Sequence, residues 1–598
     1  MAILFHGLRF DLSAALFINS IFLLISLMLI FIPSAKTLRC LNFIIFYCIP
    51  NSIAVGLNLT DVIYYRFTLK RMTADIFSYL GHAGDMGALL PQFMRDFWYI
   101  TLITIAFILA LVWVARRILK QTNQPPKGIV SVAIHSSITL LIVFFSVIGM
   151  RGGFQLKPIG IAQASIYVQG YQTALLLNTP FTILKTVNKT HLVEINYYDN
   201  PKEMESVFSP MQHPLPGNND YPTLPGSEPN IVIILLESFS TEHISSLCRG
   251  ISKPDYKGFT PFLDSLISHS LVFDGYANGK RSIESVPAIL SSLPSLMNND
   301  FISSVYSNNR VQSLAAILRE KGYETMFFHG GTNGTMGFDT YATSTGFNKY
   351  FGRREFNDDS HFDGKWGIFD EPFLKFVANT LNTSPNPFFS FVFTLSSHHP
   401  YIIPAAYAGK LRAGNLPIHQ AISYADEALK QFFKTASSMP WFNNTLFILT
   451  SDHTSEPVFP FYKSYAGSLS VPMIFYHPEV DLHRKETRIM QHIDILPTVL
   501  HLTGYQKSFM AFGHSAFNKE KPGFSITFLN NRYQLIKDGY LFHFDGEQAI
   551  GLYDFRKDLL CKSNILDSEP ELAANLTRFV KAYIQQYNYG MIHNNLAI

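Results

Sequence analysis

Four long apolar stretches crowd the first 155 or so residues of this 598-residue chain, and they constrain its fold more than any other feature. They lie at about 14–33, 40–57, 97–118 and 129–150, each close to the ~20 residues that a helix needs to cross a bilayer. One such stretch alone fits a buried core helix equally well. Four in succession, separated by basic or polar loops, predict a membrane-embedded domain.

The segment 58–95 is mixed in character. We expect it to form either a helical extension of the second span or an interfacial helix at the membrane surface. Charged residues within it exclude a simple lipid-facing helix: Asp61, Arg66, Lys70, Arg71 and Asp75.

The basic loops predict an orientation, because cytoplasmic loops of membrane proteins carry an excess of Lys and Arg. Two loops are basic, one with Lys36 and Arg39 and the other with Arg116, Arg117, Lys120 and Lys127. Placing both in the cytoplasm puts the large C-terminal part outside. It also puts Met1 outside, so we hypothesise that a helix upstream of this start site is missing.

The rest of the chain has ordinary globular composition. We predict a membrane domain over 1–155, a connector over 156–228 and a globular domain over 229–598. The net charge of +3 gives no reason to expect a nucleic-acid partner. Cys248 and Cys561 lie in the outer part and could pair under oxidising conditions, a question that the sequence leaves open. Four cysteines make neither a disulfide framework nor a CxxC zinc site.

The globular domain alternates strand and helix patterns, which predicts a mainly parallel sheet with helices on both faces. The predicted strands are 230–236, 271–275, 324–328, 388–394, 445–450 and 471–476. The predicted helices include 259–269, 310–321, 371–381 and 418–436. A late segment at about 520–555 reads as hairpin strands.

Three metal-ligating side chains follow two of these strands. Glu237 comes directly after the first, and Asp452 and His453 follow the run 445–450. The carboxyl ends of strands in an open α/β sheet form its active-site edge, so we expect these side chains to meet there. Carboxylate oxygens and an imidazole nitrogen suit Mn²⁺, Zn²⁺ or Mg²⁺.

Ser282 is the predicted nucleophile. It stands in the turn Gly279-Lys280-Arg281-Ser282, before a helical pattern. A serine hydroxyl needs a general base or a metal ion to become an alkoxide, and no histidine lies nearby in sequence, which favours the metal. Lys280 and Arg281 would hold an anionic substrate. The plainer alternative is that Ser282 only caps the helix.

Further polar groups follow other strands. His398 is a candidate to hydrogen-bond a phosphoryl oxygen or to protonate a leaving alkoxide, ahead of its neighbour His399. His329 ends another strand beside two glycines. The run from 361 to 366 offers His361, Asp363 and Trp366, although a tryptophan serves core packing more often than substrate binding. His492 and Asp494 are expected to be structural.

These motifs resemble the membrane-anchored lipoteichoic acid synthase group of the sulfatase/alkaline phosphatase superfamily, with phosphoethanolamine transferases as cousins. The resemblance extends over nearly the whole chain. Five segments carry it: Leu235-Leu236-Glu237-Ser238, Gly279-Lys280-Arg281-Ser282 with Ser285-Val286-Pro287, Ser397-His398-His399-Pro400-Tyr401, Ser451-Asp452-His453 and Leu552-Tyr553-Asp554.

The resemblance implies an α-helical membrane domain followed by a large sulfatase-like α/β domain, in the cytoplasmic membrane of a bacterium with the catalytic domain on the extracytoplasmic side. It implies one divalent ion, often Mn²⁺, on Glu237, Asp452, His453 and Ser282, with Ser282 as the nucleophile. His398 would contact the substrate headgroup, and His361, Asp363 and Trp366 would correspond to the substrate-binding segment. The chain departs from the family in using serine where threonine is usual, and in showing four spans where five are common.

The predicted activity is transfer of a phospholipid headgroup, of the glycerol phosphate type, through phospho-Ser282 to a hydroxyl of a lipid or glycan acceptor. The oligomeric state stays open. Alternatives are phosphoethanolamine transfer, hydrolysis as a phosphodiesterase or phosphatase, and a membrane sensor with a vestigial domain. Sulfate ester hydrolysis is disfavoured, because the Cys/Ser-x-Pro-x-Arg motif that matures to formylglycine is absent around Ser282 and Ser285.

Overall fold

The computed structural model divides the chain into two compact units, Met1–Lys189 and Thr190–Ile598. The residues it describes are 2–32, 36–68, 71–74, 76–77, 91, 93–119, 126–154, 158–161, 164, 173–187, 191–214, 224, 228–250, 256–385 and 387–598. Three charged residues named above, Lys70, Asp75 and Lys120, and several parts of the predicted connector 156–228 lie outside these residues.

The first unit is helical. Within the described residues, Lys36–Arg66, Trp98–Ile118 and Ile129–Arg151 are long and apolar enough to cross a membrane. The helices Phe5–Ile18 and Ser20–Leu29 meet at a 58° bend. They make a fourth candidate span only if the two helices together are counted as one span. The predicted span 14–33 lies across this break, so it is not one straight helix.

The second predicted span continues as a helix well beyond residue 57. It runs as Lys36–Asn42, a π-helical stretch Phe43–Cys48 and then Ile49–Thr68, which supports the helical-extension alternative for the start of the mixed segment. Asp61 on this extension is fully buried and accepts from Arg71 Nη1 at 2.6 Å and from the Thr179 hydroxyl at 2.8 Å. Partners of this kind explain how charged residues are accommodated next to an apolar span.

The second unit contains an eight-stranded sheet and two smaller ones. Its strands in chain order are β1 Met211–Gln212, β2 Asn230–Leu236, β3 Leu271–Tyr276, β4 Glu324–His329, β5 Lys349–Phe351, β6 Phe388–Phe393, β7 Thr445–Ser451, β8 Met473–Tyr476, β9 Arg484–Gln491, β10 Phe509–Met510, β11 Phe524–Leu529, β12 Arg532–Lys537, β13 Tyr540–Phe544 and β14 Ala549–Asp554. The large sheet has the order β5-β4-β6-β2-β7-β8-β3-β9. Neighbours in it are parallel except at β8, which is antiparallel to both β7 and β3.

The predicted mainly parallel sheet is therefore confirmed, and all six predicted strands are present with small shifts at their ends. Two strands of the large sheet, β5 and β9, were not predicted. The late hairpin segment forms the four-stranded antiparallel sheet β11-β12-β13-β14. The α-helices of this unit are Pro201–Val207, Pro261–Ile267, Ser282–Ser291, Leu314–Glu320, Phe338–Ser344, Arg353–Phe356, Asp370–Asn382, Ile418–Ala436, Ile495–Leu502 and Pro570–Ile592.

The central strands β2 and β7 are buried along their whole length, which accounts for their unbroken apolar sequences. The helices Asp370–Asn382 and Ile418–Ala436 pack with them into the main hydrophobic core. Residues 191–214, which the sequence assigned to a connector, are held on the C-terminal helix of this unit. Tyr198 N–H, for example, donates to Gln585 Oε1 at 2.9 Å.

Candidate active site at the end of the central strands

The register of β2 and β7 brings three predicted ligands together. Leu236 pairs with Ser451 in parallel strands, so Glu237 and Asp452 emerge side by side at the carboxyl edge of the sheet. Both carboxylates are buried, and His453 follows directly. One ligand atom from each of the three side chains lies within 4.8 Å of the other two.

The backbone after β2 fixes the two carboxylates. Ser238 adopts a left-handed φ of +58°, which is uncommon for serine. Its N–H donates to Asp452 Oδ1 at 2.7 Å, and its hydroxyl donates to Glu237 Oε1 at 2.6 Å. The N–H of His453 donates to the same Asp452 oxygen at 2.7 Å. Each carboxylate is therefore held in one orientation before any ligand binds.

The imidazole of His453 is held in the tautomer that a metal ion requires. Its Nδ1 lies 3.0 Å from the carbonyl oxygen of Thr454, which can only accept, so Nδ1 carries the proton. The other ring nitrogen, Nε2, lies 3.3 Å from Asp452 Oδ2 and 3.8 Å from Glu237 Oε1. A backbone carbonyl on the far ring nitrogen is the usual way in which proteins orient a metal-binding histidine.

The electrostatics of this donor set also favour a cation. Burial, and then the neighbouring Asp452 carboxylate, raise the pKa of Glu237 well above its ordinary value. Two buried carboxylates facing an imidazole nitrogen are stabilised by a positive ion between them. Oxygen and nitrogen donors without a thiolate fit Mn²⁺, Mg²⁺ or Zn²⁺.

Ser282 completes the group from a different element. It is the first residue of the buried helix Ser282–Ser291, and its Oγ lies 2.6 Å from Asp452 Oδ2 and 3.3 Å from Glu237 Oε2. The N-cap position belongs to Arg281, so capping does not explain the Ser282 side chain. A hydroxyl at this end of a helix gains from the positive end of the helix dipole when it develops negative charge.

The turn before Ser282 is built around the carboxylate of Glu284. Its Oε2 accepts from the N–H groups of Lys280 at 2.8 Å and Arg281 at 3.1 Å. Gly279 makes room for this carboxylate, because a Cβ at that position would lie 2.3 Å from Glu284 Oε2. The glycine of the motif is thus required by a close approach of a side chain.

Lys280 does not occupy the position predicted for it. Its side chain is buried, and Nζ donates to Thr454 Oγ1 at 2.5 Å, to the Thr454 carbonyl at 3.2 Å and to the Ser468 carbonyl at 3.1 Å. Burial lowers the pKa of Lys280 to about 7. The side chain therefore links the Ser282 turn to the loop that carries Asp452 and His453.

Arg281 is engaged in the same turn. Its guanidinium donates to Glu284 Oε1, with Nη2 at 2.6 Å and Nε at 2.9 Å, and only 9% of the side chain is exposed. The sequence predicted that Lys280 and Arg281 contact the substrate. The structure places both side chains in the framework behind Ser282, where they bond to acceptors on Thr454, Ser468 and Glu284.

A recess at this edge of the sheet has Ser282 in its lining. Two predicted residues, His329 and His398, and the predicted Trp366 are on its wall. The complete lining is Glu237, Ser282, His329, Thr335, Met336, Phe338, Trp366, Phe393, Leu395 and His398. The five residues that the sequence analysis did not name are Thr335, Met336, Phe338, Phe393 and Leu395. The glycine-rich run from Gly330 to Gly337 was a usable signal for Thr335 and Met336, because such runs often approach ligands closely.

Trp366 and His398 contact one another, with ring centroids 4.1 Å apart. The Nε1 of Trp366 is buried and meets no hydrogen-bond acceptor within the described parts of the chain. His398 Nδ1 lies 2.8 Å from the carbonyl oxygen of His399, which fixes the proton on Nδ1 and leaves Nε2 as an acceptor. Burial lowers the pKa of His398 to about 4, so the ring is neutral.

The other predicted residues of this region lie outside the recess lining. Asp363 Oδ1 accepts from the N–H groups of Lys365 at 2.7 Å and Trp366 at 2.8 Å, so it shapes the turn that presents Trp366. His361 is exposed, with Nε2 3.7 Å from Asp358 Oδ2. Neither side chain reaches the recess.

Two pairs of residues remain from the sequence analysis: His492 and Asp494, expected to be structural, and Cys248 and Cys561, considered as a disulfide. His492 Nε2 lies 2.8 Å from the carbonyl oxygen of Ser451 at the end of β7, and Asp494 accepts from the N–H of Gln491 at 2.9 Å. Both support the sheet edge from behind. Cys248 and Cys561 are free thiols.

The fold and the site are similar to those of known proteins. Residues 229–505 match the model of the sulfatase family. A protein of the alkaline phosphatase superfamily from Vibrio parahaemolyticus superposes with a TM-score of 0.56 at 23% identity, covering 67% of this chain and 98% of that one. The lipoteichoic acid synthase LtaP of Listeria monocytogenes superposes with a TM-score of 0.53 at 17% identity, covering 66% and 98%.

Relatives by sequence narrow the class further. The lipoteichoic acid synthase-like protein YvgJ of Bacillus subtilis is 21% identical over 528 residues, 82% of each chain. Lipoteichoic acid synthase 2 of the same organism is 23% identical over 559 residues, covering 87% of this chain and 82% of that one. A lipoteichoic acid synthase of Staphylococcus aureus is 28% identical over 325 residues, 48% of each chain. The predicted resemblance to the lipoteichoic acid synthase group within the sulfatase/alkaline phosphatase superfamily is confirmed, and with the apolar helices it supports a membrane enzyme of this superfamily.

Proposed function

We propose that this chain is a membrane-anchored transferase that moves a glycerol phosphate headgroup from a phospholipid to an acceptor hydroxyl through phospho-Ser282. One observation carries the proposal. The Ser282 hydroxyl, at the start of a buried helix, contacts both carboxylates of a three-residue donor set for a divalent ion. The names of the relatives supply the headgroup class.

Glu237, Asp452, His453 and Ser282 would hold the ion, with Mn²⁺ as the first choice and Mg²⁺ or Zn²⁺ as substitutes. When bound, such an ion lowers the pKa of a hydroxyl and withdraws charge from a phosphoryl oxygen. The chain contributes the geometry. Ser238 and Thr454 fix the donor atoms of the ligands, and Lys280 fixes the loop on which two of them stand.

The proposed reaction has two displacements. In the first, Ser282 Oγ forms a bond to the phosphorus of the lipid headgroup, the bond from phosphorus to the diacylglycerol oxygen breaks, and diacylglycerol leaves with a proton. In the second, the acceptor hydroxyl forms the new bond to phosphorus and the bond to Ser282 Oγ breaks, which restores the enzyme. Such an exchange gives ping-pong kinetics.

His398 is suited to the second displacement. Its neutral ring presents the Nε2 lone pair, because Nδ1–H donates to the His399 carbonyl. An imidazole in this state accepts the proton of an incoming hydroxyl. Trp366 Nε1–H, which is buried beside His398, donates to an oxygen of the headgroup.

The membrane helices give the reaction its location. We propose that they place the second unit at the extracytoplasmic surface of a bacterial cytoplasmic membrane, as the basic loops at 36–39 and 116–127 predict. Anchoring raises the local concentration of the lipid donor. The acceptor is then a hydroxyl of a lipid or glycan within reach of that surface.

The test uses the purified full-length chain with Mn²⁺ and phosphatidylglycerol in mixed micelles, measuring diacylglycerol release and glycerol phosphate transfer. Ser282→Ala should abolish both. Ser291→Ala is the matched control, because Ser291 lies buried on the same helix and bonds Tyr341 outside the recess. This variant should retain both signals.

The outcomes separate the alternatives. Free glycerol phosphate without transfer would identify a hydrolase, and headgroup loss from phosphatidylethanolamine alone would identify a phosphoethanolamine transferase. Turnover that survives in Ser282→Ala would contradict the nucleophilic mechanism.

A further inference from the structure

Part of the lining of the recess over Ser282 consists of packed aromatic rings, and this bears on which headgroups enter the recess. Three of its rings pack on each other. The centroid of His329 lies 5.2 Å from that of Phe338 and 5.4 Å from that of Phe393, and the two phenylalanine rings are 5.9 Å apart. Close-packed aromatic side chains of this kind have little freedom to move.

Trp366 and His398, which also line the recess, are fixed as well. Trp366 is presented by the Asp363 turn and contacts the ring of His398, whose Nδ1 is bonded to the backbone. Methionine has three rotatable side-chain bonds and adapts its shape to its surroundings. Met336 is therefore the flexible side chain among otherwise anchored aromatic walls.

Met336 also has an unusual backbone. Its φ is +52°, between Gly334 at +95° and Gly337 at +70°. Glycine adopts this region freely, whereas a methionine there is strained. Strain of this kind persists where the surrounding structure imposes it, and it is concentrated at ligand-binding sites. A glycine at 336 would relax the turn but remove the side chain from the recess.

Met336 shares the lining of this recess with Ser282 and His398. A methionine side chain fills more of a pocket than alanine or glycine does, and the ring of inositol needs more room than glycerol. Shortening the side chain at 336 should therefore make room for the larger headgroup while the anchored rings stay in place.

We infer that Met336 determines the size of the headgroup that reaches Ser282, admitting glycerol-sized groups and excluding ring-sized ones. This inference rests on the proposed function, since it assumes headgroup transfer to Ser282. It adds a specificity role for a residue outside the three-residue metal donor set.

The test is a competition on the full-length chain. Wild type, Met336→Ala, Met336→Gly and Met336→Leu are each incubated with Mn²⁺ and equal amounts of phosphatidylglycerol and phosphatidylinositol. Intact-mass analysis then gives the ratio of inositol phosphate to glycerol phosphate adducts on the protein. The alanine and glycine variants should raise this ratio at least about tenfold, because side-chain volume in a pocket discriminates ligands by that order. Met336→Leu, which keeps the volume, should stay within about twofold of wild type.

The two enlarging variants separate size from strain. Alanine keeps the strained backbone and glycine relaxes it, so a size effect appears in both. A wild-type adduct with an unshifted ratio in both variants overturns the role of Met336 and leaves the proposed function standing. Absence of any lipid-derived adduct on wild type overturns the proposed function and this inference with it.

Discussion

Replacing Lys280 with methionine tests a point on which the sequence prediction and the structure differ. The sequence predicts that Lys280 contacts the substrate, whereas in the structure it bonds to Thr454 and Ser468. A substrate-binding lysine would affect lipid affinity. The Lys280 seen here, with Nζ bonded to Thr454 and Ser468, should instead affect the metal site. Methionine keeps an unbranched side chain, one atom shorter than that of lysine, and removes its amino group and donors.

The expected cost in stability is small. Hydrogen bonds from a charged donor contribute about 1.5–3 kcal/mol each, but burying the ammonium group offsets much of this. Both carbonyl acceptors also keep a second partner, since the Thr454 hydroxyl donates to Ser468 at 2.6 Å and His453 Nδ1 lies 3.0 Å from the Thr454 carbonyl. The variant should therefore lose about 1–2 kcal/mol of unfolding free energy. Its affinity for Mn²⁺ should fall about 10–100-fold, because it loses a group that orients the metal ligands.

The assay is calorimetric titration of the full-length protein with Mn²⁺, alongside chemical unfolding of the same samples. Lys375→Met is the matched control, because Lys375 is exposed on the helix Asp370–Asn382, and it should bind Mn²⁺ as wild type does. Wild-type Mn²⁺ affinity in Lys280→Met, with a raised KM for the lipid, would refute the positioning role and restore the substrate-binding one.

Three further substitutions address other parts of the site. Asp452→Asn should reduce Mn²⁺ binding in the same titration more than Lys280→Met does, because it removes a ligand charge; equal affinity would argue against a metal at this site. His398→Gln should still form the protein adduct but slow its transfer to acceptor by about 10²–10⁴-fold, measured by single-turnover chase; an adduct that fails to form would place His398 in the first displacement instead. Gly279→Ala should slow adduct formation by about 10²-fold, because its Cβ would lie 2.3 Å from Glu284 Oε2 and shift the turn that positions Ser282; a rate equal to wild type would show that the turn tolerates the displacement.

The sequence predicted the central sheet well because its strands are uniformly apolar runs. Parallel pairing of β2 and β7 follows from that pattern, and it brings the residues after Leu236 and Ser451 to one edge. The missed strand β9 has the sequence RKETRIMQ, whose charges mark a partly exposed edge strand and hide the pattern. The sequence itself gives no signal for the bend after Ile18, which divides an otherwise continuous apolar run.

The site was less predictable wherever a side chain had a choice of partners. Lys280 and Arg281 stand beside Ser282 in sequence, but their direction depends on Thr454 and Glu284, which approach from other elements or from the next turn. The Asp363 carboxylate likewise accepts a hydrogen bond from the backbone of the turn that follows it. The sequence shows whether a residue carries a cation or a carboxylate. Only the folded structure shows which buried group that side chain bonds to.

Direct detection of the covalent intermediate tests the central claim. The full-length protein is incubated with Mn²⁺ and phosphatidylglycerol without acceptor, denatured, digested and mapped by mass spectrometry. We predict a glycerol phosphate group on the peptide that contains Ser282, absent from Ser282→Ala and from samples treated with a chelator. An adduct located on another residue, or turnover of the lipid with unmodified Ser282 under the same trapping conditions, would contradict the account.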